Sequence, residues 1–332
     1  MSTHTFHWGI IGTGNICRRM SQALASLPEA QLAAVGSRRQ ETADAFARDF
    51  GIDRAYDSYA GVFNDPRVEI VYIGTPHNLH HANAMEALEA GKHVLLEKPL
   101  CVNALEAREV FEKARAQKLF VLEAFWYRFH PIWDEVRSWL KEGRIGEVRH
   151  VQAVFGFAAK RDPESRLFNP QLAGGALLDL GCYPVNAISM AYGGEQPTGV
   201  FSKMIPAPTK VDLTSSTTFT YGDGDDGRIA TFQCTLDLPL PPELVIFGTE
   251  GQIHLDAPFL NTETARVGGG SRYENVRVHA EAHPYAYQAI HLMERLRDGQ
   301  LDSDILPLEE SLNVMKTLDT IRAAWGLRYP FE

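Results

Sequence analysis

Gly91-Lys92-His93-Val94-Leu95-Leu96-Glu97-Lys98-Pro99 is the stretch around which the chain is organised. Its middle, Val94-Leu95-Leu96, is a brief apolar run bounded by Gly91 and Pro99, too short for a helix and of the kind that makes a buried strand. Pro99 has no amide hydrogen to donate to a ladder, so it marks the strand's end. Glu97 and Lys98 then stand at the carboxyl end of a strand, where ligands bind in open parallel α/β sheets. A lysine there can face both a cofactor and a substrate. An ordinary Glu–Lys ion pair in a turn is the plainer reading, and the sequence on either side has to decide between the two.

Upstream, Phe6 to Ile11 is an apolar run leading into Gly12-Thr13-Gly14-Asn15-Ile16-Cys17, and Ile16, Met20, Ala23, Leu24 and Leu27 recur at helical spacing. Strand, glycine turn and helix in that order is the context a dinucleotide fingerprint requires. Gly12 permits the tight turn, and Gly14 lets the backbone approach a pyrophosphate resting on the helix amino terminus. Thr13, Asn15 and Ile16 complete the candidate loop. Cys17 replaces the third glycine of the fingerprint but is small enough for helix and strand to approach. For G-x-G taken alone, a plain turn is the alternative.

Residues 31–35 predict a second strand, which runs into Gly36-Ser37-Arg38-Arg39 with no acid at its tip. An NAD site would place an Asp or Glu there for the ribose hydroxyls. Ser37 and Arg38 instead suit the 2′-phosphate of NADP, because a guanidinium is planar and always charged. NADP is therefore expected ahead of NAD; solvated charges opening the helix at 41–50 are the alternative. Residues 68–73 read as the third strand, ending in Gly74-Thr75-Pro76-His77-Asn78, where Thr75, Pro76 and Asn78 would line the nicotinamide ribose. A helix over 79–90 closes on Gly91. His77, His80 and His81 invite a metal reading, but no acid or cysteine joins them at a familiar ligand spacing, so no metal is expected.

Beyond Pro99, Asn103 and Glu106 form a capping-box-like start to a helix reaching about Gln117. A strand at 119–122 leads to Glu123-Ala124-Phe125-Trp126-Tyr127-Arg128-Phe129-His130-Pro131. Phe125 and Phe129 suit core packing, whereas Trp126 and Arg128 are candidates for touching cofactor or substrate. His130-Pro131 opens a helix reaching Glu142.

Composition bounds what such a chain can be. Its 332 residues favour two domains. The net charge of −10, with basic spots no longer than Arg18-Arg19 and Arg38-Arg39, excludes a general nucleic-acid footprint. Four scattered cysteines without a CxxC pair fit a reducing compartment. The start, Met1-Ser2-Thr3-His4-Thr5, shows no secretory pattern, and no apolar run reaches membrane-spanning length. A cytoplasmic location and no membrane partner are expected.

In the second half, strand follows strand at 147–157, 211–221, 228–235, 243–247 and 252–255, many with alternating polarity. That predicts an antiparallel sheet with one face packed and one open. An open face implies a partner, so a homodimer through that sheet is expected. Residues 202–210 and 237–242 read as Pro-containing connectors, 262–281 as irregular or hairpin-like, and 285–297 and 308–325 as helices. The expected division is 1–124 for a nucleotide-binding domain and 125–332 for a domain of substrate binding and dimerisation. Phe157, Arg161 and the loop at 168–171 are expected in the pocket wall.

One segment of this half carries chemistry: Gly174-Gly175-Ala176-Leu177-Leu178-Asp179-Leu180-Gly181-Cys182-Tyr183-Pro184. If it is helical, Asp179 and Tyr183 share a face, with Gly181 leaving space over it. A lysine ammonium such as that of Lys98 favours the phenolate of a nearby tyrosine, which can then exchange a proton with a substrate hydroxyl. Asp179 would hold a second hydroxyl. An Asp cap and a half-buried Tyr are the plainer reading of these residues taken alone.

Taken together, Gly12-x-Gly14, Ser37-Arg38, Thr75-Pro76-x-Asn78-x-His80, Glu97-Lys98-Pro99 and Asp179-x-Gly181-x-Tyr183 resemble the glucose–fructose oxidoreductase, inositol dehydrogenase and MocA family over nearly the whole chain. Residues 123–131, and Tyr183 where many members have His, are most similar to the branch of dimeric dihydrodiol dehydrogenase and NADP-dependent xylose dehydrogenase. The resemblance implies an α/β fold: a doubly wound Rossmann domain followed by an α+β domain with a large, mostly antiparallel open sheet. It also implies Lys98, Asp179 and Tyr183 as the catalytic set, with His80 and Glu97 beside the cofactor. The expected activity is NADP-dependent hydride transfer at a CH–OH group of an aldose or a trans-dihydrodiol. The alternatives are an aldose–aldose oxidoreductase that retains its nucleotide and a non-catalytic NADP- and sugar-binding sensor.

Overall fold

The computed structural model describes residues 4–332, so the reading of Met1-Ser2-Thr3 falls outside the described residues. The chain divides into two compact units, Met1–Phe129 with Glu281–Glu309, and His130–Ala280 with Glu310–Glu332. A single cut after residue 124 does not reproduce this division, because Glu281–Glu309 returns to the first unit.

In the first unit, β1 (Phe6–Ile11), β2 (Ala30–Gly36), β3 (Arg54–Tyr56), β4 (Ile70–Ile73), β5 (His93–Leu96) and β6 (Val121–Glu123) form a sheet in the order β3-β2-β1-β4-β5-β6. Every neighbouring pair is parallel. This is the doubly wound order, and its direction of winding reverses between β1 and β4. Strands covered on both faces must be apolar throughout, which is why Ile10, Ile11, all of β4 and Val94 to Leu96 are fully buried. Helix α1 (Asn15–Ala25) buries Cys17, Met20, Ser21, Ala23 and Leu24; of the spacing read from the sequence, Met20, Ala23 and Leu24 are buried, Ile16 is half-buried and Leu27 lies beyond the helix. It is followed by α2 (Gln40–Phe50), α3 (Tyr59–Phe63), α4 (His80–Glu89) and α5 (Ala104–Gln117). Asn103 caps α5 by accepting the Glu106 amide hydrogen at 3.0 Å, a contact worth about 1 kcal/mol. The expected third strand proves to be the fourth: β3 and α3 are too short to show a period.

The second unit contains α6 (Ile132–Lys141), β7 (Val148–Gly156), a π-helical turn over Leu177–Gly181 and α7 (Cys182–Ala191). It continues through β8 (Gly199–Pro206), β9 (Asp212–Tyr221), β10 (Arg228–Thr235), β11 (Glu243–Gly248), β12 (Gln252–Leu255), β13 (Thr264–Gly269) and β14 (Arg272–Arg277). The sheet order is β14-β13-β12-β11-β7-β10-β9-β8, antiparallel except where β10 runs parallel to β7. Helix α7 packs on β7 and β10. Beneath it lie Ala230, Phe232 and Cys234 of β10, all buried, while Ile229 and Gln233 alternate to the other face.

One segment differs from expectation. Part of the supposed connector at 202–210 is the edge strand β8, which pairs with β9 from Gly199 to Pro206. A proline at the end of an edge strand interrupts no shared ladder, so it did not exclude a strand there. The chain closes with α8 (Ala286–Arg297), which packs on α1 in the first unit, and α9 (Leu308–Trp325).

Candidate active site

The glycine turn lies at the carboxyl end of β1, beside the point where the winding reverses. Gly12 has φ +102°, a conformation open to glycine and strained for other residues. At Gly14 a β-carbon would meet nothing within 4 Å. The backbone there fronts open space at the amino end of α1, as an approaching pyrophosphate requires. Cys17 packs its sulfur 3.6 Å from the carbonyl oxygens of Ile11 and Gly74. It fills the third fingerprint position as a small core residue, and burial pushes its thiol up to about 12.

At the tip of β2, Thr13, Ser37, Arg38, Arg39 and Thr42 line a recess of about 380 Å³. Ser37 Oγ and Thr42 Oγ1 are 2.6 Å apart. The lining contains no carboxylate, so the recess has two guanidinium groups and three hydroxyls to offer an anion. This donor set fits the 2′-phosphate of NADP. Thr42 and Arg39 were not among the expected cofactor residues; they open α2, and only the fold turns them toward Ser37.

At the end of β4, Thr75 is buried and accepts the Asn83 side-chain amide at 3.0 Å. Asn78 keeps a buried Oδ1 with no partner among the described residues, an acceptor available to a ligand. His80 occupies a different position from the one expected. It is fully buried, with Nδ1 2.8 Å from the Pro99 carbonyl and Nε2 3.0 Å from the Thr75 carbonyl. Each ring nitrogen faces a backbone carbonyl, and the one that carries the proton donates to it, so His80 packs as a strut between the ends of β4 and β5. Burial lowers its pKa to about 4, which keeps the ring neutral.

Glu97 and Lys98 follow β5 as read. Glu97 is buried and accepts the Tyr72 hydroxyl at 2.7 Å and the Lys98 amide at 3.2 Å. Lys98 is half-buried, and its ammonium acts on both His80 and Tyr285. Glu123 accepts the Leu100 amide at 2.7 Å and steadies the turn after Pro99. Trp126 stacks on Tyr285, ring centroids 4.8 Å apart. Tyr285 was missed because it lies far along the chain and reaches this unit only through Glu281–Glu309. Arg128, expected on the cofactor, is buried and donates Nη2 to the Ile305 carbonyl at 2.6 Å, which anchors that same segment.

In the second unit, Asp179 lies within the π-turn and Tyr183 in the first turn of α7. Inserted π-turns recur at functional positions because they offset the helix locally. Both residues are buried, and Tyr183 meets Phe155 edge-on at 5.7 Å. Asp179 Oδ1 pairs with Arg166 Nη1 at 2.7 Å. Arg166 was not expected: it sits on an irregular loop with no period to announce it. Phe157 is exposed at the end of β7, and Arg161 pairs with Asp237 at the surface. Phe168, expected to line the pocket wall, is core at 2 % exposure.

Residues 6–125 match the oxidoreductase family with an NAD-binding Rossmann fold, GFO/IDH/MocA, and residues 133–254 match the GFO/IDH/MocA C-terminal domain. The chain belongs to the GFO/IDH/MocA oxidoreductase family. Over 331 residues this GFO/IDH/MocA protein is 37 % identical to the trans-1,2-dihydrobenzene-1,2-diol dehydrogenase of Mus musculus, covering 97 % of this chain and 98 % of that one. The structure of KijD10, a 3-ketoreductase from Actinomadura kijaniata in complex with NADP and TDP-benzene, has a TM-score of 0.83 at 25 % identity, over 96 % of this chain and 98 % of that one. The aldose–aldose oxidoreductase of Caulobacter crescentus shares the fold, with a TM-score of 0.86 at 23 % identity over 98 % and 99 % of the two chains. The first unit of this family member is therefore an NAD(P)-binding Rossmann domain, and the enzyme is a dehydrogenase or reductase acting on CH–OH groups. No helix among the described residues is long and apolar enough to cross a membrane.

Proposed function

We propose that this enzyme oxidises a secondary hydroxyl of a trans-dihydrodiol or an aldose in ring form with NADP, and catalyses the reverse reduction. The observation that carries the cofactor choice is the recess of Thr13, Ser37, Arg38, Arg39 and Thr42, which offers cations and hydroxyls and no acid. The similarity to trans-dihydrodiol dehydrogenases supports the substrate class.

In this reading Gly12, Thr13, Gly14, Asn15 and Ile16 cradle the pyrophosphate, Ser37 and Arg38 take the 2′-phosphate, and Thr75, Pro76 and Asn78 take the nicotinamide ribose. NADP supplies the acceptor or donor of the hydride. The Tyr183 hydroxyl group, as its phenolate, accepts the substrate's hydroxyl proton in oxidation and returns it in reduction. Lys98 favours the phenolate form and orients the substrate oxygen. Asp179, held by Arg166, accepts a hydrogen bond from the neighbouring substrate hydroxyl. The open face of the eight-stranded sheet joins a second copy of the chain. The reaction takes place in the cytoplasm, where the four buried thiols stay reduced.

A panel of trans-1,2-dihydrobenzene-1,2-diol, D-xylose and other aldoses, run with NADP⁺ and with NAD⁺, tests the reading. Turnover of a diol or aldose with NADP⁺ preferred is the expected result. A preference for NAD⁺, or turnover confined to substrates of another class, overturns it.

A further inference from the structure

The turn that carries Asp179 is pinned by a group for which the reaction has no use. Asp212, the first residue of β9, is completely buried. Its Oδ2 accepts the amide hydrogen of Leu177 at 2.6 Å, at the first residue of the π-turn. Its Oδ1 has no partner among the described residues and lies against Gly175, where any β-carbon would overlap it. Gly175 itself has φ +126°. The preceding residue is held from elsewhere: Tyr329 donates its hydroxyl to the Gly174 carbonyl at 2.8 Å. Tyr329 is in turn fixed by Arg322 over its ring at 5.2 Å and by its amide on Glu332 at 2.8 Å. Gly174 to Leu177 is thus clamped from β9 and from the segment after α9.

A fully buried carboxyl group with one oxygen unmatched is an expensive way to hold a turn's backbone amides. It is well suited to holding one register. Leu177 starts a stretch bonded i to i+5, and relaxation of that turn to ordinary helix by one residue would rotate the side chains after it by about 100°. Asp179 and Tyr183 follow directly.

We propose that Asp212 is a positioning residue: through the Leu177 amide and its contact with Gly175 it fixes the π-turn, and so the direction in which Asp179 and Tyr183 are presented. This rests on the assignment of Asp179 and Tyr183 made above.

The full chain is compared as wild type, Asp212→Ala, Asp212→Asn, Gly175→Ala and Tyr183→Phe. Amide hydrogen exchange over residues 174–183 reads the turn itself. Titration with NADPH reads the first unit, and kcat on trans-1,2-dihydrobenzene-1,2-diol or D-xylose reads the outcome. Asp212→Ala is expected to speed exchange at 174–183, leave NADPH affinity unchanged and lower kcat about 10²-fold, the scale of a misplacement near 1 Å. Asp212→Asn keeps an oxygen for the Leu177 amide and restores most of kcat. Gly175→Ala keeps the carboxyl but drives a β-carbon into it, and is expected to behave like Asp212→Ala. If Asp212→Ala does not fold, the contrast between Asp212→Asn and Gly175→Ala carries the same test. Unchanged exchange and kcat in Asp212→Ala or Gly175→Ala, with Tyr183→Phe inactive, overturns the proposal. Full turnover by Tyr183→Phe overturns the catalytic assignment, and the proposal with it.

Discussion

Arg166 Nη1 lies 2.7 Å from Asp179 Oδ1, in a pair whose carboxylate is buried and whose guanidinium is half exposed. The asymmetry sets the role of each partner. A buried carboxylate that loses its cation carries a desolvation cost, so in the proposed site Arg166 holds the Asp179 carboxylate in place. Arg166→Met is expected to cost about 2 kcal/mol, roughly thirtyfold in kcat/KM. Steady-state kinetics on the diol or aldose checks this; an unchanged kcat/KM would show that Asp179 does not act through the pair.

Arg38 is expected to tell the two nicotinamide cofactors apart. Replacing it with alanine removes one charged donor from the recess at the tip of β2. Loss of a hydrogen bond to a charged phosphate is worth about 2 kcal/mol. Fluorescence titration should show NADPH binding weakened by at least tenfold, and NADH binding hardly altered. Equal losses for both cofactors would place the 2′-phosphate elsewhere.

Two buried groups impose opposite pH dependences on stability. His80 titrates at about 4 in the folded chain against 6.5 ordinarily, because burial disfavours its charged form. Its contribution is whole above 6.5 and is lost as pH falls toward 4. Asp212 is raised from 3.8 to about 7, again by burial. Its contribution is whole below 3.8 and is lost as pH rises through 7. Urea unfolding across pH 4 to 8 should therefore show Asp212→Asn gaining on the wild type as pH rises, on the order of 4 kcal/mol over the interval. His80→Asn should gain as pH falls from 6.5 to 4. A gap that does not change with pH in either variant contradicts the corresponding assignment.

The edge strand β8 is expected to be part of the dimer. Phe201 and Ile205 are 65 % and 62 % exposed, and both alternate to the open face of the sheet with Thr218 and Thr214 of β9. Apolar side chains in such a row mark an association surface. Light scattering should report a dimer for the wild type and a folded monomer, by circular dichroism, for Phe201→Glu with Ile205→Lys. A monomeric wild type would show that the open sheet face does not join a second copy of the chain.

How far the sequence could be read depended on whether a residue's role is local. Strands β1 and β5 announce themselves because strands buried on both sides are continuous apolar runs. Helix α5 does so through Asn103 and its partner Glu106. Ser37 and Arg38 stood out because the absence of an acid after β2 has a direct chemical meaning, and the structure brings them into one recess with Thr13, Arg39 and Thr42. β3 and β8 were not, one being three residues long and the other an edge strand ending in Pro206. Contacts that join distant residues left no trace in spacing: Arg166 on Asp179, Arg128 on Ile305, Tyr285 on Trp126, and the two carbonyls that engage His80. The π-turn at Leu177–Gly181 was read only as a possible helix, since apolar periodicity does not register an inserted residue.

Proton exchange by Tyr183 during NADP-dependent oxidation of a CH–OH group is read from the rate of NADP⁺ reduction with trans-1,2-dihydrobenzene-1,2-diol in the wild type and in Tyr183→Phe. The variant is expected to bind NADPH as the wild type does and to lose about 10²- to 10⁴-fold in rate, the usual worth of a positioned acid–base group. A Tyr183→Phe enzyme that reduces NADP⁺ at the wild-type rate would contradict that role.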